Sequence, residues 1–176
     1  MELWDVYDIH RNKTGETRAR YSKSTSPKNT FNMVVHVCIF NSQGQMLIQQ
    51  RQSFKNPWAN LWDVSVGGNA VAGEFSQAAA EREAFEEIGC KLDLSNVRPH
   101  FSATFDTGFD DFYLVEADID IETLRLQYEE VQQVKWASQA EILDMVAQDI
   151  FIPYHESLIE LLFAMHKAKE YGSHTR

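Results

Sequence analysis

The chain is short of cations. Sixteen Lys and Arg stand against 26 Asp and Glu, a formal net charge of −10 over 176 residues. No run of Lys or Arg occurs, which argues against a nucleic-acid polymer as partner, since such a binder shows a basic patch or stripe. Cysteine is equally scarce. Cys38 lies in the apolar run MVVHVCIF and Cys90 follows IG, and neither stands in a CxxC or metal-ligand spacing, so both are expected as buried, reduced thiols. No apolar stretch approaches the about 18 residues a membrane span needs, and MELWDVYDIH lacks a basic-then-apolar leader. The expectation is a cytoplasmic protein with no membrane partner. The six histidines, His10, His36, His100, His155, His166 and His174, are dispersed without ligand spacing. None is assigned to catalysis, and His36, on an apolar run, is expected as a satisfied core residue.

What the chain does have is GGNAVAGEFSQAAAEREAFEEIGC, residues 67–90, which carries Glu83, Glu86 and Glu87 within five positions. Helical spacing of i, i+3 and i+4 puts the three acids on one face. Each like-charge pair at that spacing costs about 0.2–0.5 kcal/mol, and a bound cation reverses the sign. The same face carries Ser76, Ala79 and Ala80, small enough to leave room for ions and phosphate, while Ala78, Phe85 and Ile88 fall on the opposite, packing side. Ser76 reads as an N-cap and Gly89 as the C′ residue, giving a helix over about 75–88. Gly67, Gly68 and Gly73 predict a tight loop ahead of it, with backbone carbonyls available to a metal.

These residues resemble the signature of the Nudix hydrolase family: glycine, five residues, glutamate, seven residues, then Arg-Glu, an apolar residue, any residue, Glu-Glu, any residue, glycine and an apolar residue. Gly68, Glu74, Arg82, Glu83, Ala84, Glu86, Glu87, Gly89 and Cys90 fill every position. A chance match at the fixed positions is on the order of 10⁻⁸ per window, so an ordinary solvated acidic helix does not account for it.

The resemblance implies one Nudix domain over residues 1–176, an α/β/α sandwich with a mixed sheet, an N-terminal hairpin and C-terminal helices. Turn signals and periodicity agree with that order. ELWDVYD and ETRARY flank a turn at Asn12–Gly15; MVVHVCIF and QMLIQQR flank Asn41–Gly44; WDVSV runs into the glycines. HFSATFDT, DFYLVEADI and VQQVKWA read as strands, and ASQAEILDMVAQ and YHESLIELLFAMHKAKEY as helices. The polar stretch STSPKNT lies between the first two hairpins.

The resemblance also implies the chemistry: hydrolysis of a phosphoanhydride bond in a nucleoside diphosphate, free or linked to another moiety. Mg2+, with Mn2+ able to stand in, would be held by Glu83, Glu86, Glu87 and the Gly67 carbonyl, an oxygen donor set suited to such ions. Arg82 is expected to orient the helix carboxylates, and Glu74 to support them. The general base is open between Glu86 and acids near strand ends, Glu129, Glu130, Asp110 and Asp111. Arg51 and Lys55 are candidates for phosphate, and Asp111 and Phe109, in DTGFDDF, for a substrate-facing loop; each competes with an ordinary surface or core role. Trp58, Trp62, Phe105 and Phe112 read as core before base-stacking platforms. Two copies could pair through the apolar C-terminal helix or the N-terminal hairpin.

Residues 2–140 further resemble the type 1 isopentenyl diphosphate isomerases, which share the fold. That chemistry uses a cysteine where this chain has Gly67, histidines where it has Asn32 and Asn69, and lacks the acids at 83 and 86. Glycine cannot move a proton on an alkene carbon, and amides are poor metal ligands beside imidazole. The resemblance is therefore to the isomerase-like branch of the hydrolases. A binding module that has lost turnover is a third reading, opposed by the intact acids.

Overall fold

In the computed structural model, which describes residues 2–19 and 29–168, the first hairpin turns earlier than Asn12–Gly15. Asp8 causes this: its carboxylate accepts from the backbone N–H of His10 and of Asn12, and Arg11 adopts φ 64°. An aspartate closing its own turn leaves Thr14 and Gly15 free to join a strand. The strands β1 (Leu3–Tyr7) and β2 (Lys13–Ala19) pair antiparallel as a two-stranded sheet. Arg20, Tyr21, most of STSPKNT and His174 lie outside the described residues.

The second sheet has seven strands among the described residues: β3 (Asn32–Phe40), β4 (Met46–Arg51), β5 (Trp62–Asp63), β6 (Val66–Asn69), β7 (Phe101–Phe105), β8 (Gly108–Glu116) and β9 (Val131–Ala137). Their order is β5-β4-β3-β8-β7, with β6 on β3 and β9 on β4. Helices α1 (Ser76–Ile88), α2 (Gln139–Ala147) and α3 (Glu156–Ala168) complete a mixed α/β architecture with an N-terminal hairpin and C-terminal helices. No helix among the described residues is long and apolar enough to cross a membrane.

Two expectations fail at WDVSV. It is not one strand, because the buried Ser65 hydroxyl takes over ladder bonds, accepting from Ile39 N–H at 2.8 Å and donating to the Leu47 carbonyl at 2.5 Å. Nor do Gly67 and Gly68 form a loop: they sit in β6 opposite His36 and Val35. Gly73, with φ 92°, makes the turn that follows.

The chain divides into two compact units, one made of Met1–Val37, Val66–Glu86 and Cys90–Tyr113, the other of Cys38–Ser65, Glu87–Gly89 and Leu114–Arg176. The first contains the β1–β2 hairpin, the β6 pairing, most of α1 and the β7–β8 hairpin. Gly108 is required where β8 begins, because a Cβ there would meet the Asn32 carbonyl at 2.5 Å. DTGFDDF is thus a turn into a strand and not a loop, with Phe109 and Asp111 buried.

In the second unit β4 is ordered on both sides, by β5 and by β9. Ser138 and Glu141 form a capping box at the start of α2, a reciprocal satisfaction of two otherwise orphan amides. Ile159, Leu162 and Phe163 of α3 are buried, and Phe163 meets Phe40 edge-on at 5.1 Å. The apolar stripe of that helix is therefore spent on this unit's own core.

Candidate active site

Helix α1 begins at Ser76, but that residue does not cap it. It is the first helical residue, its hydroxyl is hydrogen-bonded to that of Tyr113, and the Phe75 carbonyl accepts from Ala79 N–H. The other end follows expectation: Gly89 has φ 71°, the left-handed conformation usual just past a helix, and Cys90 N–H bonds back to the Ala84 carbonyl at 3.0 Å.

The faces of α1 differ from the periodicity argument. Ala79, Ala80, Ala84 and Ile88 are fully buried and Glu87 is 5% exposed, while Phe85 is 52% exposed and Ala78 also faces water. The small residues thus lie on the packed face, and Phe85 faces water because the side of α1 that packs is the one the alanines share with Glu87, not the one opposite the acids. Glu83 and Glu87 stand on the inner side one turn apart; Glu86, half-exposed, stands at the rim.

In the first unit, Arg82 gathers the acids. Its guanidinium donates to both Glu74 oxygens at 2.8 and 3.0 Å, a bidentate fork, and to the Asn69 carbonyl at 3.0 Å. It also meets Glu83 at 2.9 Å and Glu86 at 3.0 Å. Burial pushes the Glu74 carboxyl up, but the bonds from Arg82 and from Val71 N–H outweigh it and hold the group below its ordinary range. The hydrogen bond to Glu74 leads the effects that hold the Arg82 guanidinium's pKa above its ordinary value.

Glu83 is different: burial pushes it up to about 7 despite Arg82. It lies so close to β6 that a Cβ on Gly68 would fall 2.1 Å from its carboxyl carbon. Gly68 is there to make room for an acid.

In the second unit, Glu87 Oε2 accepts from Gln49 Nε2 at 2.9 Å, and the Glu87 carbonyl accepts from Gln127 N–H at 2.9 Å. Lys55 pairs with Glu130 at 2.5 Å. Arg51 lies 4.0 Å from Asp63, and its Nε is buried without a hydrogen-bond partner. Phe54 and Tyr128, both exposed, lie 5.9 Å apart by ring centroid.

Asp111 is 1% exposed, bound by both Arg11 and Ser102, and Phe109 packs on Tyr7 and Phe31. Both are internal, which a polar-looking segment conceals. His36 stacks on Phe112 at 4.6 Å, with Nε2 at 3.4 Å from Asp110. Cys38 is buried, as expected; Cys90 is half-buried.

Among the described residues no three His, Cys, Asp or Glu side chains stand together ready to hold a metal ion, and Glu83 and Glu86 are both paired with Arg82. The donor chemistry still fits a hard cation, since all three helix acids offer carboxylate oxygen. Gln49 Oε1, buried beside Glu87 without a protein partner, is an acceptor that a water could satisfy. Gln49, and Gly68 in this role, were missed by the sequence argument. The signal for Gln49 was a polar residue at an inward position of MLIQQR.

Comparisons with known proteins bear on the family and the fold. A family model described as the NUDIX domain matches residues 30–159. The chain is 44% identical over 154 residues to an uncharacterized Nudix hydrolase of Listeria monocytogenes, covering 88% of this chain and 90% of that one. It is 32% identical over 117 residues to an isopentenyl-diphosphate Delta-isomerase of Salmonella heidelberg, covering 61% and 65%. The crystal structure of DR0079 from Deinococcus radiodurans superposes with a TM-score of 0.72 at 26% identity, covering 92% of this chain and 97% of that one.

Proposed function

The chain belongs to the Nudix family and is an enzyme of pyrophosphate bonds, and on that premise we propose that it hydrolyses a phosphoanhydride bond in a nucleoside diphosphate, free or linked to another moiety, with Mg2+. The observation that carries the proposal is Glu83, a buried acid for which β6 keeps a glycine at position 68. A fold that needed only stability would not bury a carboxyl against a backbone cleared for it.

Glu83, Glu86, Glu87 and the Gly67 carbonyl would hold the ion, which when bound supplies charge neutralisation and a more acidic water. Arg82 orients the acids from Glu74, where its fork is anchored. Glu86, exposed at the rim, is the first candidate for the base that takes the proton from the attacking water; Glu130 is the second, held by Lys55 until phosphate competes for that cation. Arg51 and Lys55 are proposed to meet phosphate oxygens. We include neither Asp111 nor Phe109, and treat residues 1–176 as a single Nudix domain.

Similarity to the isomerase does not bring its activity. Asn32 and Asn69, at the positions of that enzyme's histidines, satisfy one another through a 2.9 Å hydrogen bond between their amides. The test is a Mg2+-dependent screen of nucleoside diphosphates, nucleotide sugars, ADP-ribose, dinucleoside polyphosphates and isopentenyl diphosphate, reading bond cleavage and alkene isomerisation separately. Cleavage without isomerisation is expected. Inactivity on every diphosphate with metal still bound would leave a binding module.

A further inference from the structure

We propose that Gln49 is a positioning residue for Glu87, fixing the direction in which that carboxylate presents its oxygens to a divalent cation. The inference rests on the reading of Glu87 as a metal ligand.

Gln49 occupies a place where an apolar side chain would be cheaper. It is 2% exposed, on the same face of β4 as Leu47, which is fully buried. Its backbone is fixed from both sides, opposite Asp63 of β5 and Val134 of β9. Burying a primary amide at such a position is unfavourable unless its polar atoms are used. One is used: Nε2 donates to Glu87 Oε2 at 2.9 Å. With nitrogen donating to Glu87, the amide oxygen points away from the carboxyl. That oxygen, Oε1, has no protein partner.

A glutamate side chain has several rotatable bonds, and a ligand that must first be ordered binds its cation more weakly. A donor held on a strand between two neighbours removes that freedom before the ion arrives. Partners of this kind, one shell out from a metal ligand, typically change affinity or activity by about 10–100-fold when lost.

The test is Mn2+ titration of the whole protein, without substrate, followed by electron paramagnetic resonance, together with the metal dependence of hydrolysis and a thermal melt. Gln49→Met keeps length and volume but cannot donate. Gln49→Asn keeps an amide that falls short, and serves if the methionine variant does not fold. The expected result is Mn2+ binding weakened about 10–100-fold, with the metal half-saturation of turnover shifted by the same factor and kcat recovered at high metal. A folded variant binding Mn2+ as tightly as the parent, while Glu87→Gln binds weakly, overturns the proposal and leaves Gln49 a packing residue. If Glu87→Gln itself binds Mn2+ like the parent, the metal reading of Glu87 fails first and takes this inference with it.

Discussion

The two sides of helix α1 invert the usual division of labour. The inner side holds three alanines, one isoleucine and two acids, all buried or nearly so; the outer side holds Phe85, the largest apolar residue of the helix, in water. Glu83 lies so close to β6 that its position demands glycine at 68. The arrangement positions acids at the expense of apolar burial, as an active site does and a stability-driven helix does not.

The comparison breaks most sharply at Glu87. Glu87→Gln should reduce kcat by three orders of magnitude or so, on the order of 4 kcal/mol, while the melt stays near the parent because the amide occupies the same volume. Parent-like turnover would move the metal site off the inner side. Next comes Ile88→Ala on the same side, expected to lower stability by about 2–5 kcal/mol with the remaining folded enzyme active; an unchanged denaturant midpoint would show that the inner side is not the packed one. Gly68→Ala should weaken Mn2+ binding about 10–100-fold, since the new methyl displaces Glu83. Retained affinity would mean that Glu83 has room elsewhere.

Acidity sharpens the same contrast. Glu83 titrates near 7 in the folded protein against an ordinary 4.5, chiefly because it is buried. The native state therefore holds this proton more tightly than the unfolded chain. Its contribution to stability is fully present below about pH 4.5 and is lost as pH rises through about 7. In chelator the melting temperature of the parent should fall across that window more steeply than that of Glu83→Gln. Parallel curves would show that Glu83 is not the group responsible.

Much of this was legible from the chain alone. The acid spacing and the C-terminal glycine located α1 within a residue, since a helix end with φ > 0 leaves a mark in composition. MVVHVCIF and VQQVKWA located β3 and β9. What was hidden depends on tertiary partners. Ser65 splits a strand through bonds to Ile39 and Leu47, and Asp8 moves a turn by closing on its own amides. Gln49 is one glutamine among several until Glu87 is placed beside it. Asp111 looked like a surface acid because nothing local announces Arg11, a hundred residues away.

Phe85 is the mildest test of the two-sided helix and the one most specific to it. Judged by residue type it belongs in the core, and Phe→Ala in a core costs about 3–5 kcal/mol. Judged by position it is 52% exposed, its ring 5.8 Å from the Lys91 ammonium, a contact worth about 0.5–1 kcal/mol at an exposed site. Alanine also has the better helix propensity, which offsets part of that loss. Phe85→Ala should therefore change stability by no more than about 0.5 kcal/mol, with metal affinity and turnover unaltered. A loss of core size in the denaturant midpoint would return Phe85 to the packed side, and the alanines would then have to be the face left open for ions and phosphate.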